Sequence, residues 1–429
     1  MRVLREGEPG FERYLSEVEM RGVRDSLRFE KRVRSILLDI QRRGDKALLH
    51  YIKRFDDPSL SIAKIQVKRS EIQQAYQEIP KEFLKTLKRS AHRIRKFHRL
   101  TFNQWSEHFR EKGILLGRVM RPLERVGIYV PGGKASYPST VLMSAIPAKV
   151  AGVSTLLMAT PSIHGGINPA VLVAADLAGI DQVYKMGGAQ AIAAMAYGTE
   201  SIPKVDKIVG PGNPYVATAK RLVYGVVDVD MVAGPSEILV ISDGKTPARF
   251  IASDLISQAE HDERALAILI TPSEAHGREV GEEIKRQLSL LKRRTIASES
   301  LKQRGAILVV HHLRKAIDLA NRIAPEHLEL SVQNPLKYLK AIKHAGALFL
   351  GCYTPEAIGD YMAGPNHVLP TGGTARFFSP LSVEDFIKWT NLMRFDRKAL
   401  RRFEKDLKKF TAWEGLEGHF KAIKMRLEG

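Results

Sequence analysis

Short β-branched runs, closed by Gly or Pro and separated by Ala-rich stretches, place the tightest limit on the fold. VGIYV (126–130), TLLMA (155–159), QVYKM (182–186) and KIVG (207–210) recur every 24 to 29 residues, each followed by a helix candidate. That interval leaves room for one crossover helix between strands, which makes parallel βαβ units. A second set follows: EILVIS (237–242), LAILIT (266–271), AILVV (306–310) and ALFL (347–350). The fold class is therefore α/β, with two open parallel-sheet modules. Helical periodicity dominates 25–55 and 80–109, and no strand candidate follows residue 380. The expected boundaries are a helical arm over 1–24, one α/β domain from 25–124 plus 237–380, a second over 125–236, and a helical tail over 381–429.

Composition narrows the function classes. No apolar run approaches the roughly 18 residues that span a bilayer, and the opening MRVLREGEPGFERY carries charges where a secretory signal needs an apolar stretch. A cytoplasmic protein with no membrane contact is expected. Cys352 is the single cysteine, so neither an internal disulfide nor a thiolate metal cluster can form, and any metal ligands are His, carboxylate or amide. The net charge of +20 raises nucleic-acid binding. Residues 1–110 hold 26 Lys/Arg against 15 Asp/Glu, interleaved on helical patterns such as LRFEKRVRSILLDIQRRG. With no zinc-finger spacing or RNP signature beside it, this pattern reads as a solvated surface, and no specific nucleic-acid partner is expected.

Ligands of open α/β sheets sit at the carboxyl ends of strands. The loops VGIYVPGGKASYPST, KMGGAQAIAAMAYG and KIVGPGNPYV are Gly-rich there and suit a pyrophosphate cradle, although none reads G-x-G-x-x-G. In TPARFIASDLISQAEHDE, Thr246 and Pro247 mark a helix start, and Gln258 and His261, three apart, share one helix face. An amide oxygen and an imidazole so placed can meet one metal ion, though such a pair is more often structural. IAPEHLEL sets Glu326 beside His327, a carboxyl and an imidazole suited to proton transfer. The Gly/Pro-punctuated loop TPEAIGDYMAGPNHVLPTGGTARF holds Asp360 and His367, and AWEGLEGHFKAIKMRL places Glu414 and His419 in the tail.

Four long segments in fixed order, ERVGIYVPGGKASYPSTVLM, GPSEILV through SQAEHD, APEHLEL and GDYMAGPNHVLPTGGTAR, resemble the histidinol dehydrogenase family from about residue 25 to the end. The resemblance implies two incomplete Rossmann-like modules, with metal and catalysis in the 25–124 plus 237–380 domain and NAD in the 125–236 domain. It implies one zinc ion per subunit on Gln258, His261, Asp360 and His419. Glu326 and His327 become the proton-transfer pair, with Ser236, His367 and Glu414 touching substrate beside His327 and the zinc ligands. Tyr129, Gln190 and Asn213 become NAD contacts. The implied reaction is a four-electron oxidation of L-histidinol through the aldehyde to L-histidine, with two NAD in succession, as the last step of histidine biosynthesis. His327 takes the hydroxyl proton and Glu326 activates water for the aldehyde. The implied assembly is a homodimer whose exchanged tails complete each other's sites.

Departures from the family pattern are modest: Gly418 stands before His419 where Ala is usual, and DFIKWTNLMRF replaces a more basic, Ser/Thr-rich stretch. Cys352 reads as non-catalytic. Two rivals remain at this stage. A paralogue would oxidise another small diol or amino alcohol, and a basic binding protein would keep the fold without turnover.

Overall fold

Parallel strands buried on both faces organise the molecule. The computed structural model describes residues 1–24, 29–102, 107–132, 136–162 and 166–428, so the middle of the first Gly-rich loop (133–135) lies outside the described residues. A six-stranded sheet runs in the order Arg2–Arg5, Ala306–Val309, Leu266–Thr271, Glu237–Ser242, His327–Ser331, Ala347–Leu350, every pairing parallel. A five-stranded sheet, also parallel, runs Gln182–Lys185, Thr155–Thr160, Arg125–Tyr129, Lys207–Val209, Asp228–Val229.

Alternation along a strand sends successive side chains to opposite faces, and both faces here are covered. Ile238 and Val240 pack with Ile251, Leu255 and Val280 on one side. Leu239 and Ile241 pack with Phe11, Leu15 and Ile317 on the other. A strand covered on both sides can be apolar throughout, which is why EILVIS and LAILIT were legible as runs.

Three expectations are corrected. The N-terminal arm is not purely helical: Arg2–Arg5 is the edge strand of the six-stranded sheet, followed by the helix Pro9–Glu19. The tail is not purely helical either, because Ile387–Phe395 pairs antiparallel with Ile114–Pro122 along nine residues. Its exposed pattern of Trp389, Asn391 and Met393 lacks the burial that marks a strand in sequence. The grouping of 25–124 with 237–380 also differs from the packing. Helices Glu30–Arg43 and Asp45–Phe55 bury Val33, Ile40 and Leu48 against Ile192, Met195 and Ile208 of the five-stranded module. Lys81–Thr101 buries Leu87 and Ile94 against the same module's other face.

Candidate active site and nucleotide cleft

The chemistry-bearing side chains gather at the amino-terminal edge of the six-stranded sheet. Glu237 opens its strand, and His327 opens the neighbouring one in register with Ile238 and Ala347. The helix Leu313–Ile323 ends on Ala324 in the left-handed region (φ 49°), a strained choice for a residue with a Cβ, and Pro325 bars further helix. The chain therefore turns sharply and delivers Glu326 and His327 at the sheet edge. The helix Ala248–Ala259 returns from the far end of the sheet, so its last turn carries Gln258 to the same edge, with His261 just beyond. Pro247, not Thr246, caps this helix; the Thr246 hydroxyl instead donates to the Ser331 carbonyl at 3.3 Å. The carboxyl-end rule thus fails for this cluster.

Asp360 lies in a π-helical turn, Gly359–Ala363, a form concentrated at functional sites. A Cβ on Gly359 would meet the Phe349 ring at 2.8 Å, so only glycine lets the turn pack there. His367 Nδ1 sits 3.1 Å from the Asp360 carbonyl and 3.5 Å from its carboxylate, while Nε2 is 3.3 Å from the Thr140 hydroxyl. Asn366 donates to the Met143 carbonyl at 2.7 Å. These bonds tie the 359–371 segment to the helix Pro138–Ala151 of the other module.

Electrostatics sort the cluster into roles. Burial holds the His327 imidazole below its usual value and keeps it neutral. Its Nδ1 lies 2.8 Å from the Glu237 carbonyl, so Nδ1 carries the proton and Nε2 is left as the acceptor. Burial also pushes Glu326 well above the carboxylate range, reinforced by the charges of Glu237, Asp360 and Glu356 and opposed by the Glu237 N–H that it accepts at 2.8 Å. Burial alone would raise Asp360, but the hydrogen bond to His367 outweighs it and holds the group ionised. Burial lowers His261. The Gln258 side chain is buried, and its Oε1 has no hydrogen-bond partner among the described residues. A buried acceptor without a donor is costly unless something electropositive meets it, so a neutral amide oxygen, a neutral imidazole and an ionised carboxylate fit a divalent cation.

Two features were missed in the sequence. Glu356, buried and raised to about 9 by burial and by the charge of Asp360, lies 3.8 Å from His327 Nε2. Ligand atoms of His327, Glu356 and Asp360 fall within 4.8 Å of one another. Glu237, read only as the start of a strand, bonds through its backbone to both Glu326 and His327. Ser236 precedes it, half-buried at the sheet edge. Glu414 and His419 are not brought to the cluster within one chain: both are exposed on the hairpin of helices Arg397–Trp413 and Glu417–Glu428.

A second site lies at the carboxyl ends of the five-stranded sheet, where the rule holds. Tyr129, Gln190 and Asn213 line one cleft of about 460 Å³ together with Arg32, Asp56 and Tyr215. Asp56 fixes the Gly-rich turn by accepting from Gly187 N at 2.9 Å and Gln190 Nε2 at 3.1 Å. Asn213 caps the helix Pro214–Val223 through Tyr215 N and Val216 N. Gly210 has φ 113°, and a Cβ there would collide with the Tyr129 carbonyl at 2.1 Å. The buried pair Lys220–Asp230 grips both ends of Gly210, Lys220 Nζ on its carbonyl at 2.9 Å and Asp230 on its N–H at 2.8 Å. Lys220→Met strands a buried carboxylate, and we expect a loss of about 3–5 kcal/mol in denaturant unfolding. A loss below about 1 kcal/mol would show that water or a rearranged loop replaces the ammonium.

Comparison with known proteins now bears on these sites. The family model for histidinol dehydrogenase matches residues 19–427. Histidinol dehydrogenase of Geobacter sulfurreducens is 51% identical over all of both chains, and that of Syntrophotalea carbinolica 52% identical over 100% of this chain and 99% of its own. The crystal structure of histidinol dehydrogenase from Elizabethkingia anophelis superposes with a TM-score of 0.93 at 38% identity, covering 100% of this chain and 98% of the other.

Proposed function

The chain belongs to the histidinol dehydrogenase family, and from that premise we propose how its residues carry out the oxidation of histidinol. It is an oxidoreductase of histidine biosynthesis. Gln258, His261, Asp360 and His419 of the partner subunit would hold one zinc ion, and the cleft at Tyr129, Gln190 and Asn213 would take NAD. Zinc when bound supplies Lewis acidity and a fixed point for substrate nitrogens. NAD, held at Tyr129, Gln190 and Asn213, would supply a hydride acceptor for each of the two oxidations.

The protein's own share is proton transfer. His327 Nε2, neutral and unprotonated, takes the hydroxyl proton of histidinol. The charge of a bound divalent cation would offset those of Asp360 and Glu356 and favour the ionised Glu326. Glu326 would then remove a proton from the water that adds to the aldehyde, and His327 would serve again in the second oxidation. Ser236, His367 and Glu414 of the partner subunit position the substrate. The observation that carries this reading is the partnerless Gln258 Oε1 in the same cluster as His261, Asp360 and the Glu326–His327 pair. Two NADH formed per L-histidinol, abolished by chelator and restored by zinc, is the expected result. One NADH, or turnover indifferent to chelator, would reject it.

A second reading places the metal on His327, Glu356 and Asp360, whose ligand atoms already converge. Against it, burial and the charge of Asp360 raise Glu356 to about 9, so that carboxyl would have to give up its proton to bind a cation.

Metal binding should follow pH with a defined sign. Protons compete with zinc for His261, and burial holds that imidazole below 6.5, whereas Asp360 stays ionised. Both imidazole ligands, His261 and His419 of the partner subunit, must be neutral to bind, so zinc affinity is expected to fall as the medium is taken into acid. Metal analysis after dialysis into acid checks it; zinc retention indifferent to pH would contradict the imidazole ligands.

The assembly we propose is a homodimer with exchanged tails. The tail hairpin leaves Phe410 69%, Trp413 94% and Met425 71% exposed, an apolar cost that a partner surface would relieve. Among the described residues no helix is long and apolar enough to cross a membrane.

A further inference from the structure

The geometry points to Arg21, in the N-terminal arm, as a positioning residue that sets the catalytic pair through Glu237. This rests on the reading of Glu326 and His327 as the proton-transfer pair. One peptide position holds both: the Glu237 N–H donates to Glu326 Oε2 at 2.8 Å, and its carbonyl lies 2.8 Å from His327 Nδ1. Any shift of Glu237 therefore moves the carboxyl and the imidazole together.

What fixes Glu237 is a buried fork. Arg21 Nε donates to Glu237 Oε1 at 2.5 Å and Nη2 to Oε2 at 2.7 Å, with the two side chains only 6% and 4% exposed. Gly372 N donates to Oε1 as well, at 2.9 Å. The remaining Arg21 donors reach the Val18 carbonyl at 2.7 Å and the Ile323 carbonyl at 3.0 Å. Ile323 ends the helix that delivers Glu326, and Gly372 follows His367 in its loop. The arm also sits directly on that loop, since a Cβ on Gly22 would meet the Gly372 carbonyl at 2.7 Å.

A buried ion pair is weak evidence of stabilisation, because desolvation offsets the attraction. Its acceptors here are not scattered. Val18 belongs to the arm itself, but Glu237 and Ile323, and Gly372 on the far side of the carboxylate, each lie on, or a few residues from, a segment that carries a site residue. That is the arrangement expected of a support for the reacting groups. Lysine cannot reproduce it, since an ammonium lacks the planar fork that spans two carboxylate oxygens.

The test compares Arg21→Lys with the double variant Arg21→Met/Glu237→Gln, which removes both charges and strands neither. For each, kcat, both KM values, bound zinc and Tm are measured. The expected result is full zinc, KM values within about twofold, and kcat per zinc site down on the order of 10²-fold in the double variant and less in Arg21→Lys. If the fork only supports the fold, Tm and the folded fraction fall while kcat per zinc site stays at the wild-type value, and the proposal is overturned. Should the double variant not fold, Arg21→Lys decides in the same way. His327→Asn is assayed alongside. Wild-type kcat in that variant removes the underlying reading; low kcat there with unchanged kcat in the Arg21 variants removes only this proposal.

Discussion

His327→Asn should lose about 10²- to 10⁴-fold in kcat, the range associated with one positioned base, while keeping its zinc and its affinity for histidinol. Asparagine retains an N–H that can face the Glu237 carbonyl, so the packing changes little, but nothing at the former Nε2 can accept the alcohol proton. Zinc analysis beside steady-state kinetics checks both halves. Wild-type rates would sink the base assignment, and loss of zinc would transfer the metal to His327, Glu356 and Asp360, whose ligand atoms converge without it. Glu326→Gln should fail differently, because the amide cannot take a proton from water. Histidinol should then give about one NADH per site and a trapped aldehyde, and two NADH at normal speed would contradict the role of Glu326.

Restored activity from two inactive proteins is the second large effect. His261→Asn subunits and His419→Asn subunits, each inactive alone, are mixed under conditions that let dimers exchange. If tails cross, a mixed dimer has one site with both defects and one with neither, so random pairing returns roughly a quarter of wild-type activity. If His419 served its own body, every site would keep one defect. Glu414 and His419 are both exposed on the tail hairpin, which is why we propose that they serve a partner's site. No recovery from demonstrated mixed dimers would reject it.

Most of the strand framework was legible because those strands are buried on both faces and read as unbroken apolar runs. His327–Ser331 was not, since it alternates HLELS. Its buried Glu329 accepts the backbone N–H of Glu356 at 2.8 Å and shares a hydrogen bond with Asp254, compensations invisible in sequence. The tail strand hid for the opposite reason, being exposed along most of its length. Among functional groups, the cleft could be anticipated from Gly-rich turns at strand ends. The cluster could be named only through resemblance, because its members come from separate segments and meet at the sheet edge opposite to the usual one. Arg21 and Glu356 carried no signal: a lone arginine in a basic arm and a lone glutamate in a loop look like surface.

The edge strand Arg2–Arg5 has a consequence for how the molecule is made. It pairs with Ala306–Val309, far along the chain, so this strand waits for a partner synthesised much later. The five-stranded module and the helices packed on it come from a continuous stretch and can fold meanwhile. The six-stranded sheet takes strands from both sides of that stretch and closes late, after the long loop between its ends has been brought together. Until then Ala306–Val309 presents an open edge to other chains. The enzyme should therefore refold in two phases, an early one in the nucleotide module and a slow, aggregation-prone one that also assembles the catalytic edge.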